Sequence, residues 1–256
     1  MKKDINFLIE RPIAHRGLHS EDIIENSFVA FSRAIDAGYP IELDVQITAD
    51  GRLVVFHDWS LDRMTDNAGK LSDKKYDEIK DITLGESNQK ILLFEDALSL
   101  INGEVALIVE IKSQSYFDYE ICKKVYDSIK KYDGKYAISS FNPFIVRWFA
   151  KNAPEVVRGQ NFTNFGNRSF MIAFVKKIFL YVSWIVSNNK PDFFAVRANT
   201  VPSSWPVKIA RIRKKLLLTW NIQNRQEYDK ISNAIDNEFF DIKPYEDKPK
   251  KIFAGN

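Results

Sequence analysis

The chain has 256 residues, 45% of them apolar and 28% charged, a balance that excludes a disordered or tail-like protein. With 37 Lys and Arg against 34 Asp and Glu, the net charge of +3 gives no basis for a dedicated nucleic-acid binder. The single cysteine, Cys122, excludes an internal disulfide and a thiolate zinc cluster, and is read as a small buried helix residue. The opening residues MKKDINFLIERP carry two lysines with no apolar run behind them, so no secretory signal is read and a cytoplasmic location is expected.

In chain order, short apolar runs alternate with amphipathic stretches. Strands are predicted near Arg11–His15, Pro40–Ile47, Glu104–Lys112, Tyr136–Ser139, Val156–Gly159, Asp192–Arg197, Leu216–Asn221 and Glu238–Asp241. Helical patterns fall between them, near Glu25–Asp36, Leu93–Leu100, Tyr119–Lys131, Pro143–Asn152, Ser169–Ser187, Ser204–Arg213 and Arg225–Ile235. Alternation at this spacing argues a parallel sheet with crossover helices, and eight strands in this length is the count for a closed (β/α)8 TIM barrel. A doubly wound open sheet competes, but it would carry a Gly-rich turn after its first strand, and Gly17 stands alone there. The rhythm breaks once. An extra strand, Arg52–His57, follows the Asp50-Gly51 turn, and residues 58–89 then hold only a weak helix at Asp73–Ile79 and turn residues at Asp66–Gly69. We read this stretch as a small insertion after the second strand of one domain spanning residues 1–256.

The residues that carry chemistry sit at strand ends. In Ile41-Glu42-Leu43-Asp44-Val45 the alternation of a strand puts Glu42 and Asp44 on one face and the apolar residues on the other. In a barrel that acidic face points inward, where two carboxylates repel unless a cation or a proton intervenes, and rigid oxygen ligands suit Mg²⁺ or Ca²⁺. An edge strand with a solvated polar face reads equally well from this motif alone. Val109-Glu110-Ile111-Lys112 repeats the pattern, with Glu110 as a third carboxylate and Lys112 one pleat nearer the mouth, suited to an anionic substrate. Its plainer reading is a local surface ion pair. His15-Arg16-Gly17 ends the first strand, and His57-Asp58 ends the extra one, both where barrel enzymes keep catalytic groups. Arg16 offers a fork of donors for phosphate, and imidazoles can exchange protons near neutral pH. A single histidine is more often structural; two of the chain's three at strand ends weigh the other way, and His19 is expected at the surface. Two histidines, three carboxylates, an Arg and a Lys at one barrel end fit metal-assisted cleavage of a phosphate ester.

The order of these motifs resembles the glycerophosphodiester phosphodiesterase family. His15-Arg16-Gly17, Glu25-Asn26-Ser27, Glu42-Leu43-Asp44-Val45, His57-Asp58 with Leu61-Asp62-Arg63-Met64-Thr65, and Val109-Glu110-Ile111-Lys112 carry the likeness, continued by Leu84-Gly85 and Leu92–Leu98. Lys190–Phe194 and Thr219-Trp220-Asn221 extend it, though the late strand reads Leu218-Thr219-Trp220-Asn221-Ile222 where the family tends to Trp-Thr-Val. The resemblance implies a TIM barrel with a small insertion, a divalent cation on Glu42, Asp44 and Glu110, and acid–base histidines at His15 and His57. It further implies phosphate contacts from Arg16 and Lys112, and packing of Phe141 and Trp220 against a glycerol moiety. The implied reaction converts a small-molecule or lipid-derived glycerophosphodiester into glycerol 3-phosphate and an alcohol. A barrel that binds a phosphodiester without cutting it, and a phospholipase D- or C-like lyase that releases a cyclic phosphate, are the competing readings. Finally, Ser169–Ser187 is the most hydrophobic stretch, and Lys176-Lys177 at its centre argues against a membrane span. It reads either as an outer barrel helix or as a helix in peripheral contact with a membrane or a second subunit.

Overall fold

Ten strands form in the computed structural model of the chain, which describes residues 3–162 and 189–241. In chain order they are β1 (Ile13–Ala14), β2 (Ile41–Ile47), β3 (Leu53–Val55), β4 (Leu92–Leu93), β5 (Leu107–Ile111), β6 (Tyr136–Ser140), β7 (Val157–Phe162), β8 (Phe193–Arg197), β9 (Leu216–Trp220) and β10 (Asn237–Phe240). All but β3 and β4 pair in parallel, in the order β1-β2-β5-β6-β7-β8-β9-β10. The ring closes because β1 has two neighbours: Ala14 faces Ile41 of β2, and Ile13 faces Phe239 of β10. Among the described residues the helices between the strands are α1 (Phe28–Asp36), α2 (Tyr76–Ile79), α3 (Phe94–Ile101), α4 (Tyr119–Ile129), α5 (Pro143–Asn152), α6 (Trp205–Ile212) and α7 (Arg225–Ile231). This is the expected (β/α)8 TIM barrel, with each of the eight expected strands in place.

Helix starts follow local chemistry. Ser27 accepts from Ala30 N–H and stops α1 from reaching back to Glu25, while Asp118 and Asn142 cap α4 and α5, the latter with Pro143 at its first position. Between strands and helices the outward residues Ile41, Leu43, Val45, Leu107, Val109 and Ile111 pack with Phe31, Phe94 and Phe149. Inside the barrel the composition changes along each strand. Ile108 lies in an apolar floor with Ile13, Phe193, Leu218 and Phe239, plugged by Phe7 and Leu8 of a short N-terminal 3-10 turn. One pleat toward the C-terminal end, Ile108 gives way to Glu110, Ala137 to Ser139, and Gly159 to Asn161, all facing inward. The floor therefore supplies packing, and the layer above it supplies chemistry.

The insertion builds on β3 and β4. β3 adds antiparallel to β2, with Val45 opposite Val55, and β4 adds antiparallel to β3, with Val55 opposite Leu92. Its apolar residues are spread singly along the sequence, yet Val54, Phe56, Leu61, Leu71, Ile79, Leu84 and Ile91 collect into a core of their own. The weak helix expected at Asp73–Ile79 is split into a 3-10 turn at Leu71–Asp73 and the short α2. Cys122 is buried in α4, where burial pushes its thiol pKa up, in keeping with a packing role. Residues 169–187 lie outside the described residues. Among those described, no helix is long and apolar enough to cross a membrane.

Gly159 carries one constraint of the floor: a Cβ there would lie 2.2 Å from ring atoms of the fully buried Phe193. Gly159→Ala is expected to cost about 1–3 kcal/mol of stability by overpacking. Denaturant unfolding of the single variant and of its combination with Phe193→Leu checks this, since the smaller side chain should return part of the loss.

Candidate active site

Two neighbouring strands bring the acids together. The register of β2 on β5 sets Asp44 beside Glu110, and alternation turns Glu42, Asp44 and Glu110 into the barrel. One carboxylate oxygen from each lies within 4.8 Å of the others. Glu42 and Asp44 are buried, and the side chain of Glu110 is 12% exposed. Three acids so placed need partners. Arg16 backbone N–H donates to Glu42 (3.0 Å), Asn26 Nδ2 to Asp44 (2.9 Å) and Asn161 Nδ2 to Glu110 (3.0 Å). Lys112 Nζ lies 3.5 Å from Asp44 and 3.4 Å from Glu110, and Arg16 Nε lies 3.5 Å from Asp44.

The charge is shared unevenly. Burial, then repulsion from Asp44 and Glu110, pushes Glu42 well above the usual carboxylate range. Burial acts the same way on Asp44, but Lys112 and Arg16 outweigh it and hold its carboxyl well below that range. Burial and Asp44 together raise Glu110 against the pull of Lys112. Lys112 itself is raised, because Glu110 and Asp44 overcome the cost of its burial.

Both expected histidines stand at the same end. Each has its Nδ1 on a carboxylate, His15 on Asp241 Oδ1 at 2.6 Å and His57 on Asp58 Oδ1 at 2.5 Å. That leaves Nε2 as the nitrogen of each ring open to other chemistry, and His15 Nε2 lies 4.0 Å from Glu42. Burial lowers the pKa of His57, with Asp44 opposing. Arg16 and Gly17 take positive φ, +58° and +83°, and a Cβ at Gly17 would meet Ala30 and Phe31 at 2.9 Å, so this turn requires glycine. Phe141 and Trp220 meet edge to face with ring centroids 6.1 Å apart, Phe141 being partly exposed. All nine residues singled out in the sequence thus lie on β1, β2, β5, β6, β9 or the turns leaving these strands and β3.

One expectation is corrected. His19 is not a surface residue: its side chain is 16% exposed, and its Nε2 lies 3.5 Å from Asp241, which the β1–α1 turn folds toward. Burial works to raise Asp241, but His15 and His19 hold its carboxyl well below the usual range. Asp241, Asn26, Asn161 and Glu25 were not singled out individually. Asn26 and Glu25 lie within motifs given above and Asp241 ends the last predicted strand; Asp241 reaches His15 where β10 closes on β1, and Asn161 on β7 reaches Glu110 on β5 across β6.

The sequence model of the glycerophosphoryl diester phosphodiesterase family matches residues 15–237. The chain belongs to that family. A glycerophosphodiester phosphodiesterase from Caldanaerobacter subterraneus is 39% identical over 157 residues, covering 57% of this chain and 64% of that protein. The uncharacterized protein YqiK of Bacillus subtilis is 36% identical over 156 residues, covering 57% and 63%. The matched stretch thus spans less than two thirds of these relatives. Among solved structures, an Oleispira antarctica phosphodiesterase in complex with sn-glycerol-3-phosphate as product superposes with a TM-score of 0.75 at 22% identity, covering 92% of this chain and 94% of that one. A glycerophosphodiester phosphodiesterase from Thermotoga maritima gives 0.68 at 24% identity, covering 90% and 93%. At these identities the superpositions speak to the fold.

Glu42, Asp44 and Glu110 could hold a divalent cation. All donors are hard oxygens on rigid strands, and burial with mutual repulsion, which together raise Glu42, disfavours full ionisation of the three acids, the condition a cation would relieve. The sign of its pH dependence follows. A carboxyl whose folded pKa is raised keeps its proton after the unfolded chain has released it, so its contribution is present at low pH and lost as pH climbs from about 4.3 toward the folded value. The metal-free protein should therefore lose stability over that interval, and Glu42→Gln should flatten the loss. Thermal unfolding against pH in the presence of a chelator measures both.

Proposed function

We propose that this chain hydrolyses glycerophosphodiesters to sn-glycerol 3-phosphate and an alcohol, with a divalent cation, Mg²⁺ or Ca²⁺, on Glu42, Asp44 and Glu110. The observation that carries the proposal is the meeting of three inward carboxylates with two Asp-held histidines at the C-terminal end of a parallel barrel. In this reading residues 1–256 are one catalytic unit, with the segment 58–89 as its insertion.

The cation would supply charge for the phosphate oxygens and lower the barrier to nucleophilic attack. The chain's own residues supply the rest. Arg16 and Lys112, both beside Asp44, would face the phosphate and balance its charge. One histidine takes the proton of an attacking water as its oxygen bonds to phosphorus. The other gives a proton to the alcohol oxygen as the P–O bond breaks. Asp241 and Asp58 fix the ring orientation and favour the tautomer with Nδ1 protonated, so proton traffic runs through Nε2. Phe141 and Trp220 would form the apolar wall for the glycerol carbons.

His15→Ala and His57→Ala should each lower kcat by about 10²–10⁴-fold with the fold retained. Phosphorus NMR of the wild-type reaction with glycerophosphocholine and Mg²⁺ or Ca²⁺ should show glycerol 3-phosphate as the first product, and chelation should stop its release. A cyclic phosphate instead would assign the lyase reading. Tight binding with no product in any divalent cation would assign the non-catalytic one.

A further inference from the structure

The insertion sends one side chain back toward the site. Arg63, from the motif that follows His57-Asp58, spans two carboxylates. Its Nε donates to Asp58 Oδ2 at 2.5 Å and its Nη2 to Asp58 Oδ1 at 3.1 Å. The same guanidinium donates from Nη2 to Glu25 Oε1 at 2.6 Å and from Nη1 to Glu25 Oε2 at 3.4 Å. Each carboxylate holds one of the groups assigned above. Asp58 accepts from His57, and Glu25 accepts from Arg16 Nη1 at 2.8 Å. A continuous chain of charge-assisted hydrogen bonds therefore runs His57–Asp58–Arg63–Glu25–Arg16, and the Arg16 Nε at its end lies 3.5 Å from Asp44 as an ion pair without a hydrogen bond. It ties the turn after β1 to the turn after β3, two segments that share no strand pairing.

Resting on the hydrolase reading, we infer that Arg63 is a positioning residue that sets His57 through Asp58 and Arg16 through Glu25. The geometry of the fork supports this. A planar guanidinium can bond two carboxylates in fixed directions, which a lysine ammonium cannot do. Without Arg63, Asp58 and Glu25 would lose their shared cation, and Asp58 could turn away from the imidazole. A purely stabilising role fits poorly, because the Arg63 side chain is 49% exposed and ion pairs at such places add little to stability. The insertion then has a use beyond covering β2: its small core holds this arginine in register.

The test compares wild type with Arg63→Ala, Arg63→Lys, Asp58→Ala, the double variant Arg63→Ala/Asp58→Ala, and Arg52→Ala, all with Mg²⁺ or Ca²⁺ present. Arg52 pairs with Glu95, with both side chains exposed, and serves as the surface control. Loss of Arg63 or of Asp58 should lower kcat by about 10–100-fold, as for other residues that orient a site group. The double variant should fall far less than the product of the two, because both act on His57. Arg63→Lys, which keeps charge and fold, should remain impaired, while Arg52→Ala should match wild type. Nitrogen-resolved NMR of the histidine rings gives a readout independent of turnover: the His57 ring resonances should move in Arg63→Ala and those of His15 and His19 should stay. Full multiplicativity, full activity in Arg63→Lys, or unmoved His57 resonances would overturn the inference. Absence of turnover in wild type would instead strike the hydrolase reading, and the NMR comparison would still decide the role of Arg63.

Discussion

Like charge held together inside the barrel is the constraint on which the rest of the structure depends. Glu42, Asp44 and Glu110 present oxygens within 4.8 Å of one another in a place that water reaches poorly. Left alone, such a cluster would protonate or push its strands apart. Here the surroundings divide the labour. Lys112 and Arg16 keep Asp44 ionised, Asn26 and Asn161 satisfy lone pairs without adding charge, and Glu42 is left with its carboxyl raised. A divalent cation bound there would offset the mutual repulsion that, after burial, keeps Glu42 raised.

That cluster also explains the layering. A parallel barrel can afford a polar upper layer only over a packed floor, and the floor is built from Ile13, Ile108, Phe193, Leu218 and Phe239, with Gly159 making room for the Phe193 ring. Above it, carboxylates stand on strands while His15, Arg16 and His57 stand on the turns that leave them. Rigid elements thus hold the carboxylates, and the turns hold the imidazoles and the guanidinium. Asp241 and Asp58 remove the freedom those turns would otherwise give the imidazoles.

Much of this was legible in the sequence, for a definite reason. Alternation in Ile41–Val45 and Leu107–Lys112 determines which side chains share a face, whatever the rest of the fold does, so the three carboxylates and Lys112 could be named together. The closed barrel followed from eight strands at regular spacing. What alternation does not encode is which distant strand ends become neighbours. Asp241 meets His15 across 226 positions of sequence because β10 closes the ring on β1, and Asn161 on β7 meets Glu110 on β5 across 51 because both strands flank β6, neither through any local pattern. His19 reads as exposed for a like reason: a polar residue in a turn looks solvated until Asp241, the residue after β10, is brought beside it. The insertion core leaves no pattern in the sequence because Leu61, Leu71, Ile79 and Leu84 lie too far apart to form a run.

Metal-assisted hydrolysis requires the three carboxylates to act as one cation site. Titration of Mn²⁺ into the chelator-treated protein, followed by the electron paramagnetic resonance signal of the free ion, tests this most directly. Wild type should remove about one Mn²⁺ per chain, with Mg²⁺ or Ca²⁺ competing it off, and Asp44→Asn should bind at least tenfold more weakly. Wild type and Asp44→Asn binding Mn²⁺ alike, or neither binding it, would contradict the site.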